Sequence, residues 1–144
     1  VGYGQLAWKL QQDPRVVNLQ RRNIRYLSWE EVGEKVDLAV VDVSFISLEL
    51  VIPPTLAFLK QGGGLLTLVK PQFEVGKGEV GKGGVVRDPE KHRQVVERIV
   101  RFAACQGLIS HGVTESPIQG PKGNREFFLY CERPHGKDRG TEAG

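Results

Sequence analysis

The eight residues Val36-Asp37-Leu38-Ala39-Val40-Val41-Asp42-Val43 set the fold class. Six of them are apolar and four are β-branched, and a run this short and this apolar reads as a strand buried on both faces, the kind that lines a parallel sheet. Leu65 to Val69 repeats the pattern and stops at Lys70-Pro71, which predicts a second doubly buried strand. Between the two, Ser47 to Lys60 looks helical at its ends, but Pro53 and Pro54 remove two amide donors. A kinked or two-part helix ending at Gly62 is expected there.

Further downstream, Asp88-Pro89-Glu90 is a helix start: a capping carboxylate, a proline in the first turn, then an acid. Val95, Val96, Ile99, Val100 and Ala103 recur at helical spacing, and Gly107 can close that helix. Residues 108–114 and 126–131 then read as two strands joined by a Gly/Pro loop, a closing antiparallel pair. Upstream lie a short helix over Gln5 to Gln12, a short strand over Val16 to Leu19, and a brief helix capped by Ser28. Strands and helices alternate, so the chain is α/β, with a mostly parallel sheet and helices on both faces.

The chain has 144 residues, enough for one domain with one core, and its 40% apolar and 26% charged content excludes a disordered chain. A net charge of +3 and a pI near 9.0 favour an anionic partner. Cys105 and Cys131 are far apart, and His92, His111 and His135 show no ligand spacing, so no metal is expected. Two unpaired cysteines suit a reducing, cytoplasmic setting. The longest apolar stretch, LELVIPPTLAFL, is about half a bilayer span and is interrupted by Glu49 and the two prolines, so no membrane crossing is expected. The chain starts at Val1, contains no Met, and opens directly on helix-like sequence. It reads as the C-terminal part of a longer protein, with residues 134–144 as a disordered tail.

Three ionisable residues sit at strand ends: Asp42, Lys70 and Glu126. Ends of strands are where open α/β sheets place their chemistry, so an amine and two carboxylates can meet at one sheet edge. Each also has a plainer use: a turn or cap residue, a lysine snorkelling out of a strand, a surface partner for an arginine. The loop EVGKGEVGKGGVVR contains GxGxxG and GxxxxGK spacings. No helix begins at the first, and Gly83 stands where a phosphate-binding loop needs a hydroxyl, so neither nucleotide motif is credited. A mobile cationic lid, with Lys77, Lys82 and Arg87 toward phosphates, is the better use of that loop.

The segments GYGQLAWKL, NIRYL, VDVSFISL, LVKPQFEVGKGEVGKGGVVRDPEKH and SPIQGPKGNREFFLY, in this order, resemble the hemolysin A (TlyA) family of RNA methyltransferases across residues 1–133. The resemblance implies an FtsJ-like domain: a Rossmann-like sheet that binds S-adenosylmethionine and methylates ribose 2′-hydroxyls of ribosomal RNA with a Lys-Asp-Lys-Glu tetrad. Asp42, Lys70 and Glu126 match its second to fourth members. It also implies that the first lysine, the first strand, the glycine-rich cofactor loop and an RNA-binding domain lie ahead of Val1, leaving this fragment inactive alone. Cofactor contacts would fall on Gly2, Tyr3, Asn23, Ile24, Asp42 and Val43, and RNA contacts on Lys77, Lys82, Arg87 and Lys122. Two alternatives stay open: a non-catalytic RNA-binding module of ribosome assembly, and the membrane-acting hemolysin that the family name suggests.

Overall fold

The computed structural model describes residues 7–17, 19 and 22–136. Its centre is a four-stranded sheet built from β1 (Val36–Val41), β2 (Leu59–Val69), β3 (Ile109–Glu115) and β4 (Phe127–Glu132), in the spatial order β1-β2-β4-β3. β1 and β2 run parallel, with Val41 opposite Thr67. β4 lies antiparallel to both β2 and β3, with Val69 opposite Phe127 on one side and Leu129 opposite Val113 on the other. The expected closing antiparallel pair is therefore present, whereas the sheet is not mostly parallel: among the described strands one of three pairings is parallel, because β4 enters between β2 and β3 in the opposite sense.

Among the described residues four α-helices accompany the sheet: α1 (Trp8–Gln12), α2 (Trp29–Val32), α3 (Leu48–Leu56) and α4 (Pro89–Cys105). α4 begins as its sequence requires. Asp88 accepts a hydrogen bond from the Glu90 amide, Pro89 occupies the first turn, and Gly107 closes the other end at φ 87°. Its apolar stripe buries Val95, Ile99 and Ala103 against Leu48, Val51 and Ile52 of α3 and against Leu65, Val69, Leu129 and Cys131 of the sheet. Ile52, Leu65, Ile99 and Leu129 are fully enclosed. Side chains packed this closely leave no room for a lost methyl to be refilled, so truncating Ile99 to alanine should cost about 3 kcal/mol.

The structure revises four further expectations. α3 is a single helix that ends at Leu56, two residues past Pro54. Leu59 is drawn into the sheet opposite Val36, and the Arg133 guanidinium donates to the Leu56 and Leu59 carbonyls, which a continuing helix would have satisfied. Gly62, expected as the helix stop, lies inside β2 at φ 81°. The short strand expected at 16–19 does not form at Val16, Val17 or Leu19, and Asn18 lies outside the described residues.

The fourth revision concerns the expected double burial of β1 and β2. Both longer helices cover the same face, and on the other face Leu38 and Val40 are 54% and 64% exposed while Leu66, Leu68 and Phe128 are half-buried. Among the described residues, the sheet is closed on one side only.

Candidate active site

The C-terminal ends of β1 and β2 and the start of β4 meet at one edge of the sheet. Val41 and Val69 point into the core, and side chains alternate along a strand, so the next residues, Asp42 and Lys70, turn toward the opposite face. The last ladder pair between β2 and β4 is Val69 with Phe127, and Lys70 and Glu126 are the next residues of their two strands beyond it. Topology alone thus brings the three predicted residues together.

Side-chain contacts complete the arrangement. Lys70 Nζ lies 2.7 Å from Asp42 Oδ1 and donates to Ser44 Oγ at 3.2 Å. The lysine side chain is only 12% exposed, whereas Asp42 is 64% exposed, so the amine is enclosed and its counter-charge faces outward. Glu126 is buried and accepts a hydrogen bond from Gln72 Nε2 at 2.8 Å. Asp42 and Glu126 both line a cavity of about 330 Å³ that runs along Val40, Leu66, Leu68 and Phe128 on the outer face. The surface-pair alternative for Glu126 is set aside, because Arg125 takes Glu115 as its partner instead.

One aromatic ring borders the amine, and a second packs on the first. Phe73 lies 6.0 Å from Lys70 Nζ and packs against Phe45 at a centroid distance of 4.7 Å. Phe45 is 86% exposed and holds φ at 63°, a left-handed conformation that costs a side-chain-bearing residue energy. An apolar ring kept in water by a strained backbone is an outlier of the sort found at binding sites.

Glu74, at the end of the same KPQFE stretch, turns the other way. Its carboxylate accepts from the Leu48 amide and the Ser47 hydroxyl at the start of α3, and from Arg98 of α4 at 2.6 Å. Arg98 also donates to the Glu74 carbonyl and to Glu49, so one buried carboxylate ties the site turn to both helices. Burial pushes the Glu74 carboxyl above its usual range, and the donors from Leu48, Ser47 and Arg98 only partly oppose it.

The glycine-rich loop is more ordered than a free lid. Its first half forms two short turns, Lys77–Glu79 and Lys82–Gly84. Its second half is pinned by Asn124, whose side chain accepts from the Val86 amide and donates to the Gly84 and Pro121 carbonyls. Val85 and Val86 are buried as a result. Lys82, Arg87 and Lys122 are gathered at this junction: Arg87 donates to the Lys82 carbonyl, and Lys122 lies beside Gly83. Lys77 is exposed on the earlier turn.

Among the remaining predicted contacts, Gly2 and Tyr3 lie outside the described residues. Asn23 and Ile24 belong to a turn that packs on α3, with the Asn23 side chain accepting from the Arg25 amide. Val43 is half-buried next to Asp42. Sequence reasoning missed Ser44, Gln72, Glu74 and Phe45. Ser44 had a legible signal, since residues two apart on an extended strand end share a side with Asp42. The positive φ at Phe45 had none.

No helix among the described residues is long and apolar enough to cross a membrane. Residues 1–133 match the family described as FtsJ-like methyltransferase. The 16S/23S rRNA (cytidine-2'-O)-methyltransferase TlyA of Mycobacterium tuberculosis is 52% identical over 130 residues, which are 90% of this chain and 48% of that protein. Hemolysin A of Brachyspira hyodysenteriae is 34% identical over 131 residues, covering 90% of this chain and 55% of its own. A solved structure from Streptococcus thermophilus, provisionally designated a hemolysin, superposes with a TM-score of 0.87 at 41% identity, over 92% of this chain and 48% of that one. The chain spans about half the length of the curated relatives it matches.

Proposed function

The chain belongs to the FtsJ-like methyltransferase family, and from that premise we propose that the protein transfers methyl groups from S-adenosylmethionine to ribose 2′-hydroxyls of ribosomal RNA in the cytoplasm. The observation that carries this reading is the enclosed Lys70 amine, held by Asp42 and Ser44 at an open strand end, with Glu126 across the same edge. A structural ion pair needs no cavity beside it.

The donor set suits a sulfonium cofactor: the exposed Asp42 carboxylate offers a counter-charge at the strand end, and the half-buried Val43 an apolar wall. Asp42 and Val43, with Asn23 and Ile24 from the turn on α3, are the described residues proposed to hold it. S-adenosylmethionine, when bound, supplies an electrophilic methyl group. The protein's task is then to present a ribose hydroxyl, a poor nucleophile at neutral pH, in attacking geometry. Lys70 Nζ has three substituent positions, of which Asp42 and Ser44 engage two. The third is free to meet the hydroxyl, either accepting its proton or stabilising the oxygen as it becomes anionic. Asp42 fixes the amine in place, and Glu126 stands across the same edge.

RNA would be gripped by the exposed cations of the two loops, Lys77, Lys82, Arg87 and Lys122, through phosphates. The exposed Phe45 ring offers a surface on which an unstacked base can rest, as single-stranded RNA requires.

The test is transfer of labelled methyl from S-adenosylmethionine to ribosomal RNA by the full-length protein, followed by alkaline digestion. A 2′-O-methyl ribose resists cleavage at its own phosphodiester, so label in alkali-resistant dinucleotides is expected. Label in the bases, or none on intact or protein-stripped subunits, contradicts the reading; RNA binding without label would favour a non-catalytic assembly module.

A further inference from the structure

We propose that Gln72 is a positioning residue for methyl transfer, holding the Glu126 carboxylate opposite Lys70; this rests on reading that edge as the methyltransferase site. Lys70 and Gln72 are borne on one short turn. Pro71 fixes its first dihedral angle, and the turn closes through the Phe73 amide to the Lys70 carbonyl at 2.9 Å and the Glu74 amide to the Pro71 carbonyl at 3.0 Å. The lysine at its head reaches Asp42 on β1, and the amide two residues later reaches Glu126 at the start of β4. One rigid turn therefore sets the distance between the amine and the second carboxylate.

The amide has a definite orientation. The Gln72 NH₂ donates to Glu126 Oε2, and the Gln72 carbonyl oxygen is left buried without a partner among the described residues. A side chain present only for packing would not leave that oxygen unpaired, since leucine or methionine fills similar room with no polar atom to satisfy. The unpaired oxygen is a cost to the fold, and the donor given to Glu126 is what the amide adds in return. Gly120 closes on the same carboxylate: any Cβ at that position would overlap Glu126. A donor and a wall thus restrict the Glu126 carboxylate.

Two variants of the full-length protein test this, each assayed for melting temperature and for kcat and KM. Gln72→Met keeps the volume and removes both the donor and the orphaned carbonyl. Gln72→Glu keeps the shape and replaces the donor with an acceptor. Both should lower kcat about 10²-fold, the loss a misplaced group causes, while KM for S-adenosylmethionine and RNA stays unchanged. Gln72→Met should melt at or above the wild-type temperature. Wild-type kcat in either variant, a change confined to KM, or loss of kcat only in step with loss of melting temperature would each overturn the role of Gln72. Absence of transfer by the wild-type protein would instead remove the methyltransferase reading, and this proposal with it.

Discussion

Lys70 and Glu74 stand four residues apart in one stretch, KPQFE, and their surroundings are opposite. Glu74 is buried and engaged by Leu48, Ser47 and Arg98, with contacts that reach both longer helices. Lys70 is enclosed too, yet it keeps one position on its nitrogen free, faces an exposed carboxylate, and lies across from a glutamate whose own partner carries an unpaired oxygen. A group whose every valence is met can hold a fold together and do little else. Incompletely met groups around a cavity can act on something that enters it. On the proposed function, the turn divides into a chemical end and a structural end.

That division can be broken by mutation. The largest effect expected is at the chemical end: Lys70→Ala should slow methyl transfer by about 10³-fold, within the range for a lost proton-handling group, and leave the melting temperature unchanged. A comparable fall in melting temperature would make Lys70 a structural residue. At the other end, Arg98→Ala leaves the Glu74 carboxylate buried without its cation. The loss should be about 2 kcal/mol by denaturant unfolding, below the figure for a fully buried pair because Arg98 is 38% exposed. Methyl transfer by the folded fraction should be preserved.

Smaller effects sharpen the same contrast. Lys82→Ala and Lys122→Ala should each weaken RNA binding a few-fold and reduce the salt dependence of binding by about one phosphate contact, without altering kcat. An unchanged salt slope would place RNA elsewhere on the surface. The smallest effect concerns pH. Glu74 has its carboxyl raised by burial, so its contribution favours the fold below the ordinary glutamate range and is lost as pH rises through the raised value. Glu115 is the reverse: its hydrogen bond and ion pair with Arg125 lower its carboxyl, and its contribution is present above the ordinary range and lost as pH falls. Relative to Glu74→Gln, the wild-type protein should gain stability between pH 7 and pH 4; relative to Glu115→Gln it should lose stability on further acidification. Parallel pH profiles for the two variants would contradict the assignment of burial as the dominant influence on Glu74.

Much of this was legible in the residues, for identifiable reasons. The helix over Pro89–Cys105 is written in its cap, its proline and its stripe, all local signals, and the structure follows them closely. Lys70, Asp42 and Glu126 could be placed at one edge because strand ends are visible as the ends of apolar runs. What was not legible depended on partners distant in the chain. Leu59 belongs to a strand rather than a helix because Val36 pairs with it, and Arg133, seventy-odd residues on, caps the helix that stops short. Gln72 and Glu74 look alike in sequence, two polar residues after a proline. Only Glu126 and Arg98, brought in by β4 and α4, tell them apart.

The most direct test sets the carboxylate that partners Lys70 against the carboxylate at the other end of the turn: single-turnover methyl transfer and thermal melting of the full-length protein carrying Asp42→Asn or Glu74→Gln, at a temperature where both remain folded. Asp42→Asn should slow transfer about 10²-fold with unchanged melting, and Glu74→Gln should change melting with transfer intact. Wild-type transfer by the Asp42 variant, or a slow but stable Glu74 variant, would contradict the division of this turn into a chemical and a structural end.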